Sequence, residues 1–201
     1  TIKQKQLTTI LCMTVQLITP KFFADSRGWF VESWTRRRYS EFGIMSDFCQ
    51  DNHSLSRQAG TIRGLHFQRE PSSQAKLVRC LKGRIYDVAV DIRKASPTFG
   101  HWLGAELTAK GGEQLFIPAG YAHGFLTLED DTEVAYKVDA YYAPEADGGI
   151  AWNDSSIGIE WPLNDMTPLL SDKDKSLPML KDTDVDFVYD GIPLGSLDKS
   201  Q

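Results

Sequence analysis

The sequence predicts an all-β protein, built as an antiparallel sandwich or barrel with a few short helices. Short apolar or alternating runs between residues 77 and 142 are separated by glycine, proline and charged turns, which is typical of antiparallel sheets. No long amphipathic pattern lies between these runs, which argues against parallel βαβ units. Aromatic residues make up 11% of the chain and glycine contributes 16 residues, which suits strands joined by tight turns.

The most regular strand pattern covers residues 85–92. Apolar and acidic residues alternate there with a period of two, which predicts a strand with one buried face. The apolar face carries Tyr86, Val88, Val90 and Ile92, and the other face carries Asp87 and Asp91.

Four more strands are predicted between turn signals at 110–112, 118–120 and 129–131. These strands cover residues 102–108, 114–117, 124–128 and 133–139. Helices are expected only over 35–42, with Ser33 as the cap, and in a short piece after Ser171. Residues 182–201 are predicted to form a short strand or a tail.

The length of 201 residues predicts one domain with a substantial core. We assign residues 13–201 to that domain and residues 1–12 to an N-terminal extension, because the better-organised pattern begins at Met13. The net charge of −5 argues against nonspecific nucleic-acid binding, which needs a basic surface.

A cytoplasmic protein that does not interact with membranes is expected. The apolar stretch 7–18 is interrupted by Thr and Gln and falls short of the ~20 residues that span a bilayer. The three cysteines, Cys12, Cys49 and Cys80, are far apart and odd in number, which predicts neither a disulfide framework nor a zinc site.

The segment 118–125 resembles the second motif of the cupin fold, in which a turn aims a histidine, here His123, into the mouth of a barrel. In metal-binding cupins an earlier strand adds two histidines and a glutamate. Here that strand offers only His66, followed by Phe67 and Gln68. Because a transition metal needs three or four converging ligands, we expect a cupin that binds no metal.

Ordered sequence blocks make nearly the whole chain, from about 14 to about 180, similar to the dTDP-4-dehydrorhamnose 3,5-epimerase family. The blocks are residues 25–32, 50–54, 63–68, 74–79, 136–142 and 152–154. The resemblance implies a metal-independent cupin jelly roll that uses no cofactor. It also implies a dTDP-4-keto-6-deoxyhexose substrate, whose C4 ketone acidifies the hydrogens on C3 and C5.

The resemblance assigns catalytic roles to four residues. His66 is the base, since a neutral imidazole can take a proton at physiological pH. Asp174 orients that imidazole, and Asp172 is a rival two residues earlier. Tyr136 donates a proton to the opposite face of the sugar, and Lys76 stabilises the enolate at the ketone oxygen.

The resemblance also implies a set of substrate-binding residues. Arg27 and Arg63 match the diphosphate ligands, because guanidinium groups pair with phosphate oxygens. The other expected binding residues are Glu32, Gln50, Asp51, Asn52, His123 and Lys173. In the family, the segment that carries Arg27 and Glu32 crosses to a neighbouring subunit, which implies a homodimer with N-terminal strand exchange.

Three other functions stay open from the sequence. An epimerase that inverts only C3 or only C5 would use the same base and proton donor. A metal-dependent cupin oxygenase would need ligands that the 63–68 strand lacks. A noncatalytic protein that binds nucleotide sugars would keep the binding residues without the chemistry.

Overall fold

The computed structural model describes residues 14–197, and ten of their strands form two facing antiparallel sheets. The strands are β1 (Gln16–Ile18), β2 (Phe22–Asp25), β3 (Gly28–Val31), β4 (Gln50–Ser56), β5 (Ile62–Gln68), β6 (Lys76–Lys82), β7 (Arg84–Asp91), β8 (Trp102–Thr108), β9 (Gln114–Ile117), β10 (Tyr121–Thr127), β11 (Thr132–Val138) and β12 (Asp147–Gly149). Sheet one has the order β1-β9-β6-β11-β4, and sheet two has the order β12-β5-β10-β7-β8. Strands β2 and β3 form a separate hairpin. The predicted all-β jelly roll is confirmed.

The strand predictions after residue 100 are confirmed with small shifts. Strands β8 and β9 have the predicted bounds, and β11 starts and ends one residue early. Strand β10 starts three residues earlier than predicted, at Tyr121. The reason is that Tyr121 and Ala122 continue the ladder with Asp91 and Val90 of β7.

The expectation that β7 buries only one face is wrong. The face with Val88 and Val90 packs outside sheet two in a C-terminal cluster, whose covering residues include Val185 and Phe187. The other face points between the two sheets, where Ile85 and Ala89 join the sandwich core. Asp87 and Asp91 therefore lie inside the protein, each fully buried.

Two short α-helices flank the sandwich: α1 (Arg36–Glu41) and α2 (Asp172–Lys175). The predicted cap of α1 is wrong, since Thr35 accepts the cap hydrogen bond from the Arg38 amide. The carbonyl of Ser33 instead accepts hydrogen bonds from the Tyr39 hydroxyl and the Gln114 amide. None of the helices between residues 14 and 197 is long and apolar enough to cross a lipid bilayer.

The predictions for the two ends of the chain fare differently. Residues 183–197 form a tail in which one bridge, Lys94 to Val188, is the only β-pairing described. Leu194 and Leu197 of this tail pack against the sandwich core. The extension predicted over residues 1–12 lies outside the described residues.

A β-bulge in β5 controls which side chains face the space between the sheets. His123 of β10 pairs with His66, and Phe125, two residues later, pairs with Arg63, three residues earlier. Strand β5 thus holds one extra residue, and the strict alternation of faces is broken there. Arg63 and His66, which a regular strand would place on opposite faces, line the same cavity.

Gly64→Ala should disrupt this bulge. Gly64 has a φ of 120°, and an added Cβ would lie 2.6 Å from the carbonyl oxygen of His123 and 2.7 Å from Cα of Gly124. Strands β5 and β10 would have to move apart, so we expect the free energy of unfolding to fall by more than the ~1–3 kcal/mol of backbone strain alone. Urea unfolding measures the change.

Gly191→Ala is the matched control for this prediction. Gly191 also has a positive φ, of 93°, but an added Cβ would meet no atom within 4 Å. Its variant should lose only the strain energy. Equal losses for the two variants would show that close packing of β5 on β10 is unimportant.

Candidate active site

A cavity of about 240 Å³ opens between the two sheets near α2. Its lining comprises Ser54, Arg63, His66, Lys76, His123, Phe125, Tyr136, Ser171, Lys173 and Asp174. His66, Lys76, Tyr136 and Lys173 also line an adjoining cavity of about 300 Å³, which reaches Gln50, Asn52 and Tyr142. The volumes suit a small-molecule site. The structure therefore brings all four predicted catalytic residues to one place.

His66 and Asp174 form a hydrogen-bonded pair in this cavity. Nε2 of His66 lies 2.6 Å from Oδ1 of Asp174. The imidazole is about one-third exposed, and the carboxylate is buried. With Nε2–H donated to Asp174, Nδ1 is the nitrogen whose lone pair can take a proton.

The one-turn helix α2 carries both candidate partners of His66, Asp172 and Asp174, and places only Asp174 next to it. Ser171 caps the helix by accepting a hydrogen bond from the Asp174 amide, and this holds Asp174 toward β5. Asp172 points outward to Lys175. Burial raises the pKa of Asp174, but the His66, Ser171 and Lys173 interactions outweigh it and hold the pKa below its usual value. Asp174 is therefore ionised at neutral pH and able to orient the imidazole.

Tyr136 faces the pair from the opposite wall. It lies on β11 of sheet one, whereas His66 lies on β5 of sheet two, and both line the cavity. Burial raises the pKa of Tyr136, and the charge of Arg63 only partly opposes the change. The phenol thus stays protonated at neutral pH and can give up a proton only to a strongly basic partner.

Lys76 is a buried cation between these groups. It projects from β6, is 8% exposed, and donates a long hydrogen bond of 3.4 Å to the carbonyl of His66. Burial lowers its pKa to about 8, and the charges of Asp87 and Asp147 only partly offset the burial. A desolvated ammonium ion that has few partners is well placed to stabilise negative charge on a ligand oxygen.

The lowered pKa of Lys76 predicts how stability depends on pH. Between about pH 8 and 10.5 the unfolded chain keeps the lysine proton and the folded chain releases it. The contribution of Lys76 to the free energy of unfolding therefore rises through this window, by about 3 kcal/mol at ~1.4 kcal/mol per unit. Urea unfolding of wild type and Lys76→Met at several pH values isolates this term. A difference that stays constant from pH 7 to 10.5 would contradict it.

His123 is held by a second carboxylate. Its Nε2 lies 2.7 Å from Oδ1 of Asp87, and both side chains are buried. Burial lowers the pKa of His123, although Asp87 opposes the change. A neutral His123 therefore lies directly across the β5–β10 ladder from His66.

Besides His123, four predicted binding residues reach the two cavities. The Arg63 guanidinium is fixed by hydrogen bonds to the Ser56 hydroxyl and the Leu55 carbonyl, both at 3.2 Å. The other three are Gln50, Asn52 and Lys173. Lys173 pairs with Asp147, which raises the pKa of the lysine. These groups give the cavity a cationic and hydrogen-bonding rim.

A single chain leaves three predicted binding residues outside the two cavities. Arg27 pairs with Asp25 at the tip of the β2–β3 hairpin, and its side chain is 88% exposed. Glu32 follows the hairpin and accepts a hydrogen bond from Thr35. Asp51 points to the outer face of sheet one, where it pairs with Lys137, because side chains alternate along β4.

Sequence reasoning missed several groups of the site. In the sequence, Asp87 is part of the polar face of a predicted strand. Only the sheet shows that it lies two residues from Ala89, the residue of β7 that pairs with His123. Ser54 and Phe125 lie inside the segments 50–54 and 118–125 but were given no role, and Ser171 was expected only as the residue that precedes a short helix. Among residues 14–197, no cluster of three or more His, Cys, Asp or Glu side chains is arranged to hold a metal ion.

Comparisons with known proteins identify the family of this chain. A family model described as dTDP-4-dehydrorhamnose 3,5-epimerase matches residues 12–182. A protein of that name from Sinorhizobium fredii is 51% identical over 179 residues, which cover 87% of this chain and 89% of the relative.

Solved structures of 3,5-epimerases are also similar to this chain. A dTDP-4-dehydrorhamnose 3,5-epimerase from Bacillus anthracis, with TDP and PPi bound, is 50% identical with a TM-score of 0.78, covering 81% of this chain and 92% of that one. A dTDP-6-deoxy-D-glucose-3,5-epimerase from Legionella pneumophila, in complex with dTDP-4-keto-L-rhamnose, is 45% identical with a TM-score of 0.80, covering 84% and 88%. The chain belongs to the dTDP-4-dehydrorhamnose 3,5-epimerase family.

Proposed function

We propose that this protein is an isomerase that inverts C3 and C5 of dTDP-4-keto-6-deoxy-D-glucose to give dTDP-4-keto-L-rhamnose, a step in dTDP-L-rhamnose biosynthesis. The observation that carries the proposal is the placement of the His66–Asp174 pair on one wall of a cavity and Tyr136 on the facing wall. Inversion of a carbon centre requires a base on one face of the sugar and a proton donor on the other.

The first step removes a proton. His66 takes the hydrogen from C3 or C5, and the electrons of the C–H bond form an enolate whose negative charge rests on the C4 oxygen. Asp174 stabilises the imidazolium ion that results. The Lys76 ammonium group stabilises the enolate oxygen by charge and hydrogen bonding.

The second step returns a proton to the opposite face. The Tyr136 hydroxyl protonates the carbon as the enolate collapses to the ketone, which leaves a phenolate. Exchange with solvent then restores the phenol and the neutral imidazole before the second centre reacts. Arg63 and Lys173 support the binding of the diphosphate and sugar at the rim.

Solvent deuterium exchange tests this function. The protein is incubated with dTDP-4-keto-6-deoxy-D-glucose in D₂O, and the products are followed by ¹H NMR. We expect deuterium at both C3 and C5 together with the inverted sugar. Label at one carbon alone would identify a single-centre epimerase, and tight dTDP-sugar binding without exchange would identify a noncatalytic binding protein.

We propose further that the active form is a homodimer in which the β2–β3 hairpin reaches the site of the partner subunit. In a single chain this hairpin exposes Phe23, Trp29 and Phe30, with 53%, 63% and 68% of their surface open. Exposed aromatic groups of this size favour burial against another protein surface. The exposed Arg27 would then supply its charge to a bound diphosphate.

Subunit mixing tests this arrangement. His66→Asn and Arg27→Ala homodimers, each weakly active, are mixed under conditions that allow subunit exchange. A heterodimer then contains one site with an intact His66 and a partner Arg27, so activity should rise to as much as about half of wild type per heterodimer. A monomer by light scattering, or no recovery after exchange, would contradict the proposal.

We also propose a cytoplasmic location. Cys49 and Cys80 are free thiols, as expected of a protein in a reducing compartment. Recovery of the protein with cytoplasmic markers after cell fractionation is the expected result, and recovery with the membrane or secreted fraction would contradict it.

A further inference from the structure

The side chain of Gln68 is buried at the end of β5 and is hydrogen-bonded at both ends of its amide. The residue is 4% exposed. Its Nε2 donates to the carbonyls of Ser72, at 2.6 Å, and Tyr141, at 3.2 Å. Its Oε1 accepts a hydrogen bond of 2.8 Å from the amide of Ala143. Only an amide side chain can donate twice at one end and accept at the other.

These bonds hold the segment 140–143, which follows β11. In the described part of the chain, the only backbone–backbone hydrogen bond of this segment is at its end, where the Ala143 carbonyl accepts from the Ala146 amide. A second glutamine, Gln74, donates a hydrogen bond of 2.7 Å to the carbonyl of Ala140. Side-chain amides thus satisfy here the backbone groups that strand pairing satisfies elsewhere in the sheets.

The segment carries Tyr142 to the substrate cavity. Tyr142 lies between the two residues that Gln68 binds, and it lines the cavity of about 300 Å³ together with His66 and Lys173. It is 57% exposed, so packing within the chain holds its side chain only weakly. The position of this ring therefore depends on the backbone that Gln68 holds.

We propose that Gln68 is a positioning residue for substrate binding, whose amide holds the segment 140–143 so that Tyr142 forms a fixed wall of the cavity. This inference rests on the proposed function, because the wall serves binding only if the cavity holds the dTDP-sugar. Gln68 borders the same cavity, but both protons of its amide are already donated to carbonyls of its own chain. A wall that is fixed before binding removes the free-energy cost of ordering it in the complex.

The catalytic groups are held without this amide. Tyr136 lies in the middle of β11, which pairs with β4 on one side and β6 on the other. His66 of β5 lies between β10 and β12 in the same way. Loss of the Gln68 amide should therefore weaken binding and leave the chemistry of the bound substrate unchanged.

Gln68→Met separates binding from catalysis. The variant keeps the length of the side chain and loses the amide. We expect KM for dTDP-4-keto-6-deoxy-D-glucose, and Kd for dTDP by calorimetry, to rise by about 3- to 10-fold, the factor that corresponds to the net strength of one hydrogen bond. The value of kcat should stay within about twofold of wild type. An unchanged Kd, or a fall in kcat as large as the rise in Kd, would overturn the inference.

Thr127→Val is the matched control. Thr127 is a fully buried polar residue at the end of β10, and its hydroxyl donates to the carbonyl of Gln58 and accepts from the amide of Thr61. It fixes a loop in the same manner, but outside both cavities. Its variant should lose stability to urea and keep the KM and Kd of wild type. A rise in Kd as large as that of Gln68→Met would show that any loss of stability weakens binding, and the positioning role would be wrong.

A double-mutant cycle shows whether Gln68 acts through Tyr142. In Tyr142→Leu the ring is gone, so the amide of Gln68 has no wall left to position. Kd for dTDP in the double variant should then equal that of Tyr142→Leu within about twofold. Effects of the two changes that multiply would show that Gln68 contributes independently of Tyr142, which contradicts the inference.

Hydrogen exchange in wild type tests the contacts without a variant and without an activity. The side-chain NH₂ protons of Gln68 should exchange at least about 10-fold more slowly than those of Gln58, which is exposed. Exchange as fast as that of Gln58 would overturn the inference, whatever the activity. A protein with a protected Gln68 but no epimerase activity would reject the proposed function, while the dTDP titrations still decide the role of Gln68.

Discussion

His66→Asn is expected to lower kcat by about 10²- to 10⁴-fold, the usual range for loss of a positioned acid or base. The variant keeps a polar side chain, although a shorter one, but its amide nitrogen cannot accept a proton at neutral pH. Asp174 keeps its place at the start of α2, because the Ser171 cap and not His66 fixes the backbone of that turn. The loss should therefore be chemical and not structural.

Deuterium exchange at both carbons should fall together in His66→Asn, since one base serves both centres. The melting temperature and the affinity for dTDP should stay close to those of wild type. His101→Asn is the matched control, because His101 is exposed on the surface. Wild-type turnover by a folded His66→Asn protein would show that another group is the base.

Tyr136→Phe should separate inversion from proton removal. The variant keeps the ring that packs against the sandwich core and loses only the hydroxyl. The base is intact, so a proton can still leave and return on the same face. We expect inversion to fall by about 10²- to 10⁴-fold, while exchange of substrate hydrogens with solvent continues without inversion.

NMR in D₂O distinguishes the two processes, because the deuterated starting sugar and the inverted product are diastereomers whose remaining protons have different chemical shifts. Tyr86→Phe is the matched control, since Tyr86 packs in the C-terminal cluster on the outer face of sheet two. Equal loss of exchange and inversion in Tyr136→Phe would mean that the phenol also assists proton removal. Unchanged inversion would assign the proton donor elsewhere.

The sequence predicts strands β7 to β11 well, because each of them carries its own pattern between clear turn signals, whereas it gives no bounds for β1 to β6 or β12. Strands β8 and β9 keep the bounds that their turns indicate. It fails on the burial of β7, where the face with Asp87 and Asp91, predicted to be exposed, points between the two sheets, and Ile85 and Ala89 of that face join the sandwich core. The alternation within β7 cannot report that the opposite sheet covers this face.

There is also a physical reason why the sequence predicts some residues of the site and not others. The family blocks identify His66, Lys76, Tyr136 and Asp174, and the fold brings these residues to one cavity. Arg27, by contrast, lies outside the two cavities of its own chain and pairs with Asp25 in the exposed hairpin, which accords with the proposal that it serves the site of a partner subunit. The roles assigned to the individual side chains stay predictions until the variants are measured.

The extra residue in β5 also changes what identifies this site in other sequences. On a regular strand, side chains that share a face are separated by an even number of positions, yet Arg63 and His66 are three apart. Only a strand that gains one residue between them can present both, and the crowded position at Gly64 admits no side chain. Arg63, His66 and Gly64 therefore form one signature: a relative that keeps both side chains but replaces the glycine, or alters the spacing, should not be expected to share this chemistry.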